Sequence, residues 1–135
     1  EVIHSRLRHP GYLGDMPHTW IGGEYVRAII GMLMHEADDH LSLLPGVQPS
    51  WVKDGGLRVS ELRTTYGKLS MSARQDDAGL HVELASGLLP NIPVYVSWPS
   101  RTRPEKVVVD DQEHSDYTAD GILLARPFSE LLATW

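Results

Sequence analysis

The hydrophobic positions of the chain change their period near residue 38, and the two periods predict a helix followed by strands. Between residues 17 and 37 apolar residues recur three or four positions apart, which is the period of an amphipathic α-helix. The positions that define this first face are Ile21, Tyr25, Ile29 and Met32. Asp15 is placed to cap the helix, and Pro17 suits its first turn, where a missing N–H costs nothing.

The apolar stripe of this helix is wider than one neighbouring element would cover. Val26, Ile30 and Leu33 extend it well beyond the first face, whereas one face of a sandwich covers about 100–140° of a helix. In the isolated chain the surplus surface therefore has three possible fates: it is covered by residues 1–14, it pairs with a second copy of the chain, or it stays as an exposed patch. A dimer through the helix is the favoured outcome, because a glycine-containing helix face permits close two-fold packing.

After residue 38 the apolar residues alternate, which predicts β-strands. The clearest unit is a hairpin at about 67–85, in which a turn at residues 76–79 separates two alternating runs. Further strands are predicted at 41–44, 57–62, 94–98, 106–110, 112–115 and 122–124, with one helical turn at 49–52 and a tail at 128–135. Strands at intervals of about ten residues indicate a mainly β protein, an antiparallel β-sandwich preceded by one long N-terminal α-helix.

Length and charge narrow the organisation and the partners. The 135 residues predict one compact unit, with a lead-in and helix at 1–38 and a β-sandwich at 39–135. The 12 basic and 18 acidic residues give a net charge of −6, which disfavours nucleic acid and anionic membranes as partners. No apolar run is long enough for a membrane span. The absence of cysteine excludes disulfides and thiolate metal sites.

Motifs for metal, cofactor or covalent chemistry are weak in this chain. His35 and His40 lie five residues apart, so on a helix their side chains would diverge by about 140°. We therefore expect no metal ligands from this pair, and interpret it as a solvated helix end. Neither a phosphate-binding glycine loop nor a Gly-x-Ser-x-Gly elbow is present, and no cofactor is predicted.

A carboxylate and several aromatic residues are the remaining candidates for chemistry. Glu24 lies in an otherwise apolar helical segment near His18 and Trp20, although pairing with Arg27 or a lead-in arginine would also explain it. Trp51 and Trp98 are candidates for stacking on sugar rings, and the alternative interpretation is that these tryptophans anchor the core. Exposed rings in one plane would favour sugar binding, and buried rings would favour the core role.

Four segments occur in an order that is informative as a set. Met16–Tyr25 opens the helix, Leu41–Trp51 carries Pro-Gly ahead of a tryptophan, Thr65–Ser70 contains Thr-Tyr-Gly-x-Leu-Ser, and Lys106–Glu113 has the form of a late hairpin. This order resembles the C-terminal end of six-hairpin glycosidases, which comprise bacterial glycoside hydrolases and related disaccharide phosphorylases. In that family a last barrel helix leads into a small β-sandwich.

The resemblance implies a non-catalytic C-terminal portion of a carbohydrate-active enzyme, because the catalytic barrel is missing. Twelve barrel helices of about 11–12 residues would need roughly 140 residues before any loop. The implied partner is a catalytic barrel in the same or a neighbouring polypeptide, and the implied location is extracellular or periplasmic. His18, Trp20 and Glu24 match a helix start that borders the family's substrate cleft, so they are candidate substrate contacts.

Two other hypotheses remain open at this point. The first is a free-standing carbohydrate-binding module that uses exposed aromatic residues such as Trp51 and Trp98. The second is an independent small hydrolase built around Glu24 and His18. The position of the tryptophans separates the first from a structural cap, and the activity of the isolated chain tests the second.

Overall fold

The computed structural model describes residues 19–85 and 87–135, which form one α-helix followed by two β-sheets. Helix α1 spans Thr19–Leu33, and a one-turn 3₁₀ helix spans Pro49–Trp51. The strands are β1 (Met34–Glu36), β2 (Leu41–Leu43), β3 (Leu57–Thr64), β4 (Gly67–Asp76), β5 (Gly79–Leu84), β6 (Val94–Ser97), β7 (Lys106–Val109), β8 (Gln112–His114), β9 (Gly121–Leu124) and β10 (Glu130–Thr134). The predicted fold class, a mainly β sandwich after one N-terminal helix, is confirmed.

The two sheets enclose one hydrophobic core. The four-stranded sheet has the order β1-β2-β6-β9, and the six-stranded sheet has the order β3-β4-β5-β10-β7-β8. Every pair is antiparallel except β2 with β6, which run parallel. Alternate residues of each strand point inward, as the period-2 pattern predicts. The largest fully buried side chains are Trp98, Leu41, Leu43, Leu44, Leu69, Leu80, Ile122, Val52, Val82, Val94, Val96 and Val107.

The hairpin of β4 and β5 forms where the alternation predicts it. Its turn is closed by the side chain of Asp76, whose Oδ1 accepts a hydrogen bond from the Ala78 N–H at 2.9 Å. Gly79 follows with φ 137, a backbone conformation that an L side chain rarely adopts. The inward residues Leu69, Met71 and Ala73 are buried, so burial and turn chemistry specify the same register.

The helix ends earlier than the hydrophobic period predicts. The pattern continues to residue 37, but α1 ends at Leu33, and β1 pairs antiparallel with β2. The carbonyl oxygens of the last helical turn instead accept hydrogen bonds from the loop that follows β2. Leu44 N donates to Leu33 O at 2.8 Å, and Gly46 N donates to Met32 O at 3.0 Å. The sandwich therefore begins within the segment 1–38 that was predicted to precede it.

The tail predicted at residues 128–135 contains a central strand. β10 lies between β5 and β7 in the six-stranded sheet. Its inward residues are Leu131 and Ala133, whereas Leu132 breaks the alternation by placing an apolar side chain on the outer face. Two inward positions are too few to distinguish a strand from an irregular segment by period alone.

Candidate functional site: the helix arm and its base

Helix α1 is attached to the sandwich at its C-terminal end. Ile30 and Leu33 pack against the hydrophobic core, whereas every residue from 19 to 28 is exposed. We call residues 19–28 the helix arm. About three turns of exposed helix are therefore attached to the sandwich through the last turn of α1.

The base of the helix fits closely against the loop that follows β2. A Cβ at Gly46 would lie 2.9 Å from Met32 Cγ and 3.0 Å from Met32 Cα. These distances are shorter than van der Waals contact, so Met32 or the loop would have to move. The Gly46 N–H also donates to Met32 O. Only glycine fits at this position without displacing the helix, so the contact fixes the distance between α1 and the loop.

A second connection ties the helix base to the other sheet. One carboxylate oxygen of Glu36 accepts hydrogen bonds from the backbone N–H and, at 2.8 Å, from the hydroxyl of Thr65. The Tyr66 hydroxyl donates to Ala37 O at 2.7 Å. Glu36 is the last residue of β1 and Ala37 follows it, and Thr65 and Tyr66 form the turn between β3 and β4. The chain leaving α1 is therefore bound to both sheets.

The sequence alone does not predict this connection. The Thr65–Ser70 segment is distinguished in the sequence only by its resemblance to a family motif, and its contact with Glu36 joins residues that are 29 positions apart. Glutamate at the end of a helical pattern is common on solvated surfaces, so the residue type carries no signal of the contact. The pairing of β1 with β2 must be known before Glu36 can be placed near the turn.

Exposed apolar side chains form a stripe along the helix arm. At about 100° per residue, Ile21, Tyr25 and Val26 span roughly 140° around the axis, and Trp20 lies outside this stripe, beyond Glu24. Trp20 and Tyr25 are each 69% exposed, and Val26 is 55% exposed. The charged residues of α1 are Glu24 and Arg27 alone. An exposed apolar stripe of this kind is typical of a helix face that packs against another element.

The predicted substrate contacts Trp20 and Glu24 both lie on this arm. They are four residues apart, so they occupy the same side of the helix one turn from each other. In the described part of the chain, Glu24 forms no ion pair with Arg27, and the alternative of pairing with a lead-in arginine lies outside the described residues. His18, the third predicted contact, lies outside the described residues.

The two tryptophans proposed for sugar stacking have different environments. Trp98 is fully buried, its indole N–H donates to Thr118 O at 3.1 Å, and its ring meets that of Trp135 edge to face at 6.2 Å between centroids. The ring of Trp98 is therefore a core anchor and is closed to a sugar, which corrects that part of the prediction. Trp51, on the 3₁₀ helix, is 36% exposed, and its role in stacking stays a prediction.

The histidines at the junction belong to the outer side of the four-stranded sheet. His35 is opposite Ser42 in the β1–β2 pair. His40 Nδ1 lies 2.6 Å from an Asp39 carboxylate oxygen, and His40 Nε2 lies 3.1 Å from the Ser42 hydroxyl. Across residues 19–85 and 87–135, no three histidine, aspartate or glutamate side chains are grouped to hold a metal ion.

Comparison of the chain with protein-family models, with curated proteins and with solved structures finds no match. In the described ranges, no helix combines the length and the apolar character that crossing a membrane requires.

Proposed function

We propose that this chain is the non-catalytic β-sandwich portion of a larger carbohydrate-active enzyme, and that its helix arm packs into the wall of a helical barrel. The observation that supports the proposal is the arm itself, with Ile21, Tyr25 and Val26 over roughly 140° of its circumference and Trp20 beyond Glu24, and with exposed fractions of 46% for Ile21 and more for the other three apolar residues. Such a surface is costly in water, and burial against apolar neighbours would stabilise the assembly.

The position of Trp20 favours a barrel over a single partner helix. A second copy of α1 would cover about 100–140° of the circumference, which takes in Ile21, Tyr25 and Val26 and leaves Trp20 outside the contact. A barrel wall supplies neighbours on both sides of an inserted helix. The arm would then be the last helix of that wall, and the sandwich would cap one end of the barrel.

The glycines of α1 support close packing by another element. Among the described residues, nothing lies within 4 Å of a Cβ added at Gly22, Gly23 or Gly31. Each glycine in a helix costs about 1 kcal/mol relative to alanine, and the sandwich does not explain that cost. A neighbouring helix that approaches the backbone closely would use these positions.

The carbohydrate class comes from the resemblance to six-hairpin glycosidases, and it assigns Trp20 and Glu24 as contacts at the edge of the substrate cleft. The catalytic acid and base would belong to the barrel. Two opposed carboxylates across a scissile bond need cleft walls, and an exposed helix arm provides one side only. We therefore expect the isolated chain to be inactive toward glycosides.

The proposal is tested by comparing the chain with the polypeptide encoded by its whole reading frame. Both proteins are assayed against a panel of aryl glycosides, with and without phosphate. Activity is expected only in the longer protein, and Glu24→Gln and Trp20→Ala should raise its KM. Arg27→Gln, on the same arm, serves as the matched charge control.

Two outcomes would contradict the proposal. Hydrolysis by the isolated chain that Glu24→Gln abolishes would indicate an independent small hydrolase. Saturable binding of soluble oligosaccharides to the isolated chain that Trp51→Ala abolishes would indicate a free-standing carbohydrate-binding module.

A further inference from the structure

A pocket of about 300 Å³ opens where the two sheets come together at one edge of the sandwich. It lies between β8, an edge strand of the six-stranded sheet, and β9, an edge strand of the four-stranded sheet. The connection from β9 to β10 forms its remaining wall. The lining residues are Val109, Asp110, Gln112, His114, Leu124, Ala125, Arg126, Pro127 and Phe128.

The floor of the pocket is apolar and the side along β8 is polar. Val109, Leu124 and Phe128 belong to the hydrophobic core and form the floor. Gln112 is the cross-strand partner of Val109, and His114 is the partner of Val107. Because cross-strand partners share a face of the sheet, these two polar residues lie on the core side of β8.

The polar groups at the rim are available to a ligand. Within the described ranges, the side chains of Arg126, His114 and Gln112 form no hydrogen bond or ion pair. The carboxylate of Asp110 is already engaged, because its Oδ1 accepts the N–H groups of Ser129 at 2.8 Å and Glu130 at 3.0 Å. The rim therefore offers an unpaired guanidinium together with uncommitted amide and imidazole groups.

We propose that this pocket binds a small organic carboxylate with an apolar body. The guanidinium of Arg126 presents paired N–H donors that match the geometry of a carboxylate, and the floor formed by Val109, Leu124 and Phe128 receives the apolar part. The volume is at the lower end of the range for small-molecule sites, which favours one compact ligand over a folded partner. The proposal is independent of the docking of the helix arm.

Benzoate is the probe, with benzamide and acetate as matched controls. Benzamide keeps the ring and removes the charge, and acetate keeps the charge and removes the apolar body. Binding is followed by the amide chemical shifts of the ¹⁵N-labelled chain. Saturable shifts with benzoate are expected at residues 112–114, 124–126 and 128, and both controls should bind at least about fivefold more weakly.

Two variants separate a specific site from general charge attraction. Arg126→Gln should weaken benzoate binding at least about fivefold. Arg58→Gln makes the same charge change at an exposed residue of β3 and should leave binding unchanged. β3 and β8 are the two opposite edge strands of the six-stranded sheet. Arg126 is exposed, so its replacement should not disturb folding.

The proposal is overturned if benzoate gives no saturable shift, if benzamide binds as well as benzoate, or if the two arginine variants weaken binding equally. The inward-facing Gln112 and His114 would then have a structural role only, because polar side chains turned inward on an edge strand discourage pairing between sheets of different molecules.

Discussion

Asp110 connects two neighbouring parts of the six-stranded sheet through a single side chain. It lies in the turn between β7 and β8 at φ 47, beside Asp111 at φ 64, and aspartate tolerates this left-handed conformation better than most residues. Its Oδ1 accepts the N–H groups of Ser129 and Glu130, where β10 begins. The turn and the start of the central strand are therefore positioned together.

Replacement of Asp110 by alanine should destabilise the sheet more than the same change at Asp111. Both changes remove an aspartate from a left-handed position, but only Asp110→Ala leaves two N–H groups without their carboxylate acceptor. We expect a difference of about 1–2 kcal/mol in the free energy of unfolding, since the bonds are charge-assisted but exposed. Urea unfolding of the two variants measures it, and equal stabilities would contradict the assigned role.

Asp76 gives the hairpin a dependence on acid. The Ala78 N–H that donates to its carboxylate lowers its pKa below the ordinary value of 3.8, and the hydrogen bond from His81 and the charges of Arg74 and His81 act in the same direction. Because the folded pKa is depressed, this contribution to stability is present above about pH 4. It is lost as the pH falls through the folded pKa.

Asp76→Asn should therefore flatten the loss of stability below about pH 4. The measurement is the urea midpoint of wild type and variant between pH 6 and pH 2.5. Asp77→Asn removes the same charge from the same turn and is the control. A wild-type slope in Asp76→Asn would show that other groups determine the acid dependence.

At the scale of elements, the base of α1 can be tested with two glycine variants that are expected to change stability in opposite directions. Gly46→Ala places a Cβ against the Met32 backbone and should destabilise the chain by about 1–3 kcal/mol, the usual cost of overpacking. Gly23→Ala adds a Cβ in open space and should stabilise the helix by about 1 kcal/mol.

Ellipticity at 222 nm during urea unfolding reports both glycine variants. Stabilisation by Gly46→Ala would contradict the close contact with Met32. In the longer protein, Gly23→Ala should instead weaken the packing of the arm, so the sign of its effect should reverse between the two proteins.

The hairpin and the excess apolar width of α1 could be predicted from the sequence, because each is recorded in a local period. The end of α1 could not, since Leu33 and Met32 direct their carbonyl oxygens to N–H groups of Leu44 and Gly46, and no local pattern encodes those partners. The candidate site divides in the same way. The placement of Trp20 and Glu24 on one side of the helix follows from helical spacing, and their role as substrate contacts, which the resemblance implies, stays a prediction. The contact of Glu36 with Thr65 requires the assembled sheets.

At the scale of the whole molecule, the isolated chain carries an exposed apolar arm on a closed sandwich. We expect it to self-associate at micromolar concentration, with the arm as the contact. Tyr25→Lys should shift the sedimentation coefficient toward that of the monomer. Leu123→Lys, at a residue that is 59% exposed on β9, is the matched control and should not.

Stability should be little changed by either lysine variant, because both sites are exposed. Equal dissociation by both variants would mean that association is a general property of apolar surface. A monomeric wild-type chain at these concentrations would contradict association through the arm.

The most direct test of the proposed docking is hydrogen exchange of the α1 amides. It compares the isolated chain, at concentrations at which it is monomeric, with the protein encoded by the whole reading frame. Insertion of the arm into a barrel predicts that amides of residues 22–28 exchange at least about 100-fold more slowly in the longer protein, while amides of β4 and β5 are unchanged. Equal exchange of the arm in both proteins, or a reading frame that encodes no helical barrel, would contradict the account.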